Sequence, residues 1–450
     1  MATGDAHWRA GIITVPASTG AQAITGLGGT PKAVFFFGAN WSTEDTAVTS
    51  AASALFRGMG AEYLSTSTIA QHFATLSPAG DAHSASNTAA IALLDTSGGT
   101  SGIYNASLTS LDADGFTITW GGVTAGYKLV YVALMDVSNA DLIGGAGNNT
   151  YTMGYKVGAC LMQGTWDGWA IAGSDRTQEF FGGGAYPGSA GGSSWFGAGL
   201  TAFTFPTAPG TGQYNIGIYN QAPGTVIAQG GEFIGPFLAT SDVLAIPTGT
   251  GLTNFRMDPQ STNNYAVAVT WEDEDSQTGR LTPATSTGGT VSVTGLPFAP
   301  GLVLGYSISD EPQGQASGAT RGAVGFSVVT ESFQWAALAD GVSSRGAFQS
   351  FQRGFVDCVN GSNVHAGTIE LTPDGFILTT EEDDVAPASW VWHAFGHPLV
   401  ARWIPKIYRA VMIVAGAGII GTAMPPDPHN LLLEDGFRIE LEDGSGFLLL

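Results

Sequence analysis

The sequence predicts an all-β protein: tandem, jelly-roll-like β-sandwich modules followed by a C-terminal β-ribbon. Three observations point there. Only 12% of the 450 residues are charged, while 44% are hydrophobic and 65 are glycine; soluble domains ordinarily carry roughly 25% charge. That composition cannot make long charged helical faces, but it suits short strands and tight turns. Apolar residues alternate with threonine at Phe116, Ile118 and Trp120, the period of a half-buried strand. Finally, one pattern is written twice.

The first writing runs Thr25-Gly26-Leu27, Pro31, then Ala33 to Phe37. The second runs Thr294-Gly295-Leu296, Pro300, then Leu302-Val303-Leu304. Each continues to an Arg-Gly pair (Arg57-Gly58, Arg321-Gly322), to Asp-Gly-Phe (114–116, 374–376) and to a closing apolar run, Tyr127 to Leu134 and Ser389 to Phe395. Asp-Gly ahead of such a run suits a tight turn, because glycine takes positive φ without a steric penalty. The run Val34-Phe35-Phe36-Phe37 predicts a strand covered on both faces. Internal duplication is how a chain builds arrays and spacers more often than one catalytic centre.

The expected organisation is module A over 1–140, a diverged middle β module over 141–285, module B over 286–400, and a docking ribbon over 401–450. The middle segment opens with Tyr155 to Met162 and ends with Tyr265 to Trp271, like the closing runs, but lacks the Asp-Gly-Phe landmark. Leu142 to Asn149, rich in glycine and asparagine, reads as a linker. Thr46 to Leu55 and Thr88 to Leu94 read as short helices. In the tail, Glu-Asp-Gly occurs twice. Phe437, Ile439, Leu441, Phe447, Leu448, Leu449 and Leu450 form a candidate assembly surface, because apolar residues on a ribbon edge invite pairing.

The net charge of −22 argues against nucleic acid, whose affinity comes from Lys and Arg displacing counterions. No basic n-region precedes an apolar stretch at the start. The apolar run Ala410 to Met424 is too short and glycine-rich for a membrane span. Cys160 and Cys358 have no zinc or redox spacing. Gly416 to Gly421 fits G-x-G-x-x-G, yet Pro425 and Pro426 stop the helix that a dinucleotide site needs. His393 and His397 lack the glutamate and the helix of a zinc protease. Acidic runs at 272–275 and 381–384 lack EF-hand spacing and read as solvated loops. No cofactor, metal ligand set or catalytic group is assigned. Trp166, Trp169, Tyr186 and Trp195, set among glycines and serines, are the candidate carbohydrate contacts, since aromatic faces pack on sugar rings.

The residues Thr25-Gly26-Leu27, Pro31, Val34, Asp114-Gly115-Phe116, Tyr127 and Ala133, with the terminal Leu-Leu-Glu-Asp-Gly ribbon, resemble β-rich modules of tailed-bacteriophage virion proteins. That resemblance implies a non-enzymatic tail, baseplate or fibre component that could touch the host surface. It would be made in the bacterial cytoplasm and assembled with further copies of itself, as a trimer or ring, and with other virion proteins, with a host glycan as a further partner. A capsid decoration or head-fibre protein is the alternative, and a polysaccharide depolymerase or esterase the second.

Overall fold

The computed structural model describes residues 7–47, 55–64, 66–76, 89–94, 102–146, 149–155, 157–166, 178–185, 195–204, 212–221, 226–228, 243–245, 254–258, 265–272, 275–308, 323–340, 347–360, 363–384, 386–388, 390–398, 430–432 and 438–440. Among them there is no helix. The described parts of both segments expected to be helical contradict that reading. Ile91–Leu94 is a strand, and Leu55 opens another. Pairing with neighbouring strands overrides weak helical preference there.

The first set of strands is β1 (Trp8–Thr14), β2 (Gly20–Thr25), β3 (Ala33–Ala39), β4 (Leu55–Glu62), β5 (Ile69–Leu76), β6 (Ile91–Leu94), β7 (Gly102–Asp112), β8 (Gly115–Gly122) and β9 (Lys128–Leu134). They form a large sheet β1-β9-β3-β4-β5 and a small sheet β2-β8-β7-β6. The second set is β10 (Ala140–Ala146), β11 (Asn149–Thr152), β12 (Ala159–Trp166), β13 (Gln178–Ala185), β14 (Trp195–Thr204), β15 (Gly212–Gln221), β16 (Val226–Ala228), β17 (Val243–Ala245), β18 (Asn254–Asp258) and β19 (Tyr265–Trp271). Its sheets are β10-β19-β12-β13-β14-β15 and β11-β18-β17-β16. The third set is β20 (Asp275–Leu281), β21 (Thr290–Val293), β22 (Phe298–Ile308), β23 (Ala323–Thr330), β24 (Phe333–Asp340), β25 (Ala347–Ser350), β26 (Phe355–Asn360), β27 (Asn363–Thr372), β28 (Gly375–Asp383) and β29 (Trp390–Pro398). Its sheets are β20-β29-β22-β23-β24-β25 and β21-β28-β27-β26.

The same nested order therefore occurs three times: first strand beside last, second beside penultimate. These nested ends are jelly-roll-like, while the strands between them run as meanders within each sheet. The middle segment carries the order without the motif. In its ladder Tyr151 pairs Phe255, as Ile24 pairs Phe116 and Val293 pairs Phe376. Asn254-Phe255 thus holds the register of the missing Gly-Phe. The expected linker from Leu142 is instead largely β10, which pairs with β19 along its whole length. Leu142 points into the core, so the glycines there belong to a strand. The third set begins at Asp275 rather than at 286, because β20 closes the third large sheet against β29.

The repeated motif is a clasp between the second strand and the hairpin before the penultimate one. The Asp114 carboxylate accepts the Gly26 N–H (3.0 Å) and the Gly28 N–H (2.8 Å), and its carbonyl accepts the Leu27 N–H (3.2 Å). Asp374 does the same more sparsely, taking the Gly295 N–H (3.4 Å) and the Leu296 N–H (2.9 Å). A Cβ on Gly115 would lie 1.9 Å from the Ile24 carbonyl oxygen, and one on Gly375 1.9 Å from that of Val293. Close backbone approach, not turn preference alone, requires glycine at both. Leu27 and Leu296 are both buried beside their clasps. Phe116 meets Tyr131 edge-on at 5.2 Å, and Phe376 meets Trp392 the same way at 5.2 Å. The two writings therefore sit in equivalent surroundings.

The inner strands β3 and β9 are buried on both faces, as the Phe35–Phe37 run predicts. Val34 and Phe36 face the small sheet, in one cluster with Phe116, Ile118 and Trp120. Phe35 and Phe37 face the other way, into a second cluster that draws on all three sets, through Val132, Leu161, Val269, Leu304 and Val391 among others. The large sheets meet head to tail: β4 and β5 against β10, β12 and β19; β13 to β15 against β20 and β22; β23 and β24 against β1 and β4. Heterologous contacts of this kind close a ring when the rotation closes, and here one chain supplies all three positions. Residues 1–397 form one compact unit.

At the centre, one large aromatic comes from each set. Trp8, Trp271 and Phe395 touch pairwise, with ring centroids 5.7, 6.2 and 5.7 Å apart. They occupy matching rungs of the ladder between first and last strands: Trp8 opposite Leu134, Trp271 opposite Ala140, Phe395 opposite Ser276. The junction between third and first sets has no connecting chain and is fastened by backbone and side-chain contacts. Gln349 Nε2 donates to the Trp41 carbonyl (2.6 Å), Asp45 N–H donates to the Gln349 carbonyl (2.9 Å), and Arg57 lies over Phe326 at 5.3 Å.

Residues 398–450 form a second unit. Its described part is a hairpin of β30 (Asn430–Leu432) and β31 (Arg438–Glu440), with Leu431 opposite Ile439. This is the ribbon expected from the repeated Glu-Asp-Gly.

Candidate functional site

Of the four candidate glycan contacts, Trp166 and Trp195 lie on described strands, toward opposite ends of β13. Trp166 ends β12 and pairs Gln178 at the start of β13. Trp195 starts β14, one residue before the Phe196–Ala185 pair at the other end of β13. The length of β13 separates them, about 24 Å at the usual rise. Trp169 and Tyr186 lie outside the described residues, in the segments that leave those opposite ends. Of the tail residues, Ile439 lies in β31, and Phe437, Leu441, Phe447, Leu448, Leu449 and Leu450 lie outside the described residues.

The acidic run at 381–384 is engaged by protein donors. Arg353 pairs with Glu381 and, at 3.0 Å, with Glu382. Thr368 donates to Glu381 (2.9 Å), and Asp383 accepts both the N–H and the hydroxyl of Thr287 at 2.9 Å. Those Thr287 bonds hold the Asp383 carboxyl below its usual range. Among the described residues, no three His, Cys, Asp or Glu side chains are placed to hold a metal ion. His393 and His397 lie on β29, where four residues span about 13 Å. The segments around Ala410 and Gly416 lie outside the described residues, as do Arg321 and Gly322. Cys160 is a buried free thiol.

The most site-like constellation was missed by sequence reasoning. Asp357 and His365 are both fully buried, with Oδ1 and Nδ1 2.6 Å apart. Asp357 is the extra residue of a bulge in the β26–β27 ladder, and bulges re-aim side chains. Burial works to raise the Asp357 carboxyl, and the bond to Asp357 holds the His365 imidazole up against its own burial. A catalytic dyad would turn the other imidazole nitrogen toward a nucleophile. Here Nε2 meets the Ala284 carbonyl (2.9 Å), which also accepts the Thr380 hydroxyl (2.9 Å), and Asp357 Oδ2 accepts the Ala388 N–H (2.8 Å). The constellation ties β26, β27 and two connecting segments together. No spacing signal announces it, because the two residues meet only across a bulged hairpin.

Two further histidines sit in the shared core. His72 Nδ1 accepts from Gln163 Nε2 at 2.7 Å, a bond between the first and second sets. Burial first, and the Arg57 charge second, bring its pKa down to about 3. The His393 ring lies 3.9 Å from that of Phe395, and burial likewise lowers it to about 3. Both are neutral packing groups at neutral pH. Among the described residues, no helix is long and apolar enough to cross a membrane. Compared with protein-family models, curated proteins and solved structures, the chain finds no match.

Proposed function

We propose that this chain is a non-enzymatic structural component of a tailed-phage virion, set in its tail, baseplate or fibre. The observation that carries this reading is the triple use of one strand order to close a single core. A chain that spends its repeats on a ring builds a scaffold with three related outer layers. Its buried acid–base groups are bound into packing, as at Asp357 and His365. The phage assignment itself rests on the sequence resemblance. A capsid decoration or head-fibre role is the second reading, favoured by the same ring, which suits a position of three-fold symmetry on a head. Glycan contact through Trp166 or Trp195 would involve one end of the second large sheet at a time.

Mass spectrometry of purified particles, with antibody labelling of the intact assembly, tests the proposal. The expected result is stoichiometric presence in particles, with label on the tail. Label on the head would select the second reading. Absence from particles, or product release from host polysaccharide by the purified chain, would overturn the structural role.

A further inference from the structure

We infer that the seam between the third and first sets is the joint at which the ring opens, and that residues 40–47 are the strap that latches it, a reading independent of where the protein is used. The other two joints are tethered: residues 135–139 link β9 to β10, and 272–274 link β19 to β20. Tethered surfaces that part stay close and meet again quickly. The third and first sets are joined only through the second, so they can swing apart about those two connectors. Among the described residues the seam is also the sparsest joint, with β1 against β23 and β4 against β24 as its main strand contacts. Three buried polar atoms there, Trp41 Nε1, Gln349 Oε1 and Trp335 Nε1, have no hydrogen-bond partner in the protein; Trp335 faces Phe37 across the seam at 6.2 Å. Burying such atoms is costly, and water reaching an opened seam would satisfy them. The Gln163–His72 bond between the first and second sets also leaves an oxygen unmet, Gln163 Oε1. That joint, however, is tethered and sets β4 and β5 against β10, β12 and β19.

The strap leaves β3 and crosses to the third set. Trp41 is buried in the shared core, and its carbonyl accepts Gln349 Nε2. Asp45 donates its N–H to the Gln349 carbonyl on β25, the edge strand of the third large sheet. Ala47 packs against the inner cluster of the third set, which includes Leu338, Phe348 and Val356. Glu44 bonds Lys128 of its own set, and Lys128 lies over Phe351 of the third at 5.6 Å. Asp45 holds a φ of 52°, a left-handed conformation that a residue with a Cβ adopts at a cost and keeps when its surroundings impose it. Here the bond across the seam imposes it. Release of the strap therefore relieves Asp45 and uncovers β25 together, which couples the strap to the seam.

Thiol labelling of the folded full chain tests this, with labelled sites located by peptide mass spectrometry and rates normalised to the unfolded chain. Ala347→Cys places a probe at a fully buried site of β25, on the face that carries Gln349. Cys160 is the built-in reference: it is buried on the face of β12 opposite Ala159 and Leu161, inside the second set. The probe should label roughly tenfold or more faster than Cys160, because it is reached without unfolding the second set. Gln349→Ala, which removes the bond to Trp41, should speed the probe a further ~5-fold, the effect of one lost hydrogen bond. Gln163→Ala, which removes the corresponding bond between the first and second sets, should leave the probe unchanged. Ala339→Cys, the ladder partner of Ala347, replaces the probe if the first variant does not fold, and the comparison with Cys160 decides the matter if Gln349→Ala does not. Equal labelling of probe and Cys160, or equal acceleration by Gln349→Ala and Gln163→Ala, would mean that the seam opens only with the whole ring and would overturn the inference. A probe that Gln349→Ala does not accelerate would overturn the strap as its latch.

Discussion

In the outer layers of the first and third sets, a short motif does local work: Asp114 or Asp374 clasps the backbone of Gly26 or Gly295, and Phe116 or Phe376 packs beneath an aromatic of the last strand. In the shared core no motif recurs. Trp8 comes from a first strand and Trp271 and Phe395 from last strands, yet the three rings meet. The second set shows that the two layers are separable. It keeps the strand order and its place in the core with Asn254 standing at the Gly115 position. The clasp therefore reinforces a layer whose topology the strand order and inward-facing residues already specify.

The largest expected difference between the layers is their response to acid. His72 and His393, in the shared core, titrate near 3 when folded and near 6.5 when unfolded, so their contribution is complete above 6.5 and is lost as pH falls from 6.5 toward 3. Each costs roughly 1.4 kcal/mol per pH unit in that window. In the outer layer of the third set the sign reverses. His365 is raised, so its contribution is complete below 6.5 and declines as pH rises above it. Denaturant titrations from pH 3 to 9, with His393→Leu to flatten the acid limb and His365→Gln the alkaline limb, check both.

Truncating the hub comes next. Trp271→Ala should cost about 3–5 kcal/mol, as for other buried large aromatics. Calorimetry should show residues 1–397 melting in one lowered transition; separate transitions for the three sets would break the picture of a shared core. Gly115→Ala and Gly375→Ala should each cost about 1–3 kcal/mol by forcing a methyl group into a carbonyl oxygen, with matched losses in melting temperature. The smallest effect is the most discriminating. Asp114→Ala, which frees two backbone N–H groups, should cost about 1 kcal/mol. Asp374→Ala should cost less, since its carboxylate bond is single and long. Equal losses would mean that the carbonyl bonds carry both clasps.

Legibility in the sequence follows the same division. Strand content, the clasp residues and the two-faced burial of Phe35 to Phe37 can be read directly, because period and turn chemistry are local. The stretch after Leu142 reads wrongly as a linker, and Thr88 to Leu94 wrongly as a helix, because glycine content and short apolar spacing do not reveal the strand that will pair alongside. That Trp166 and Trp195 lie toward opposite ends of β13 could not be read for a related reason: closeness along the chain across two hairpins says nothing of which end of the sheet each residue occupies. Asp357 and His365 give no signal at all, since a bulge sets their meeting.

By itself the sequence determined an all-β chain, a pattern written twice, and the glycine and aspartate that each clasp requires. Those are properties of neighbours in the chain or of one ladder. Tertiary structure alone decided that the middle segment repeats the same strand order, that the three large sheets share one core, and that Trp8, Trp271 and Phe395 meet at its centre. Such contacts join residues from different sets through packing, which needs only shape and apolar surface and therefore leaves no fixed spacing to read.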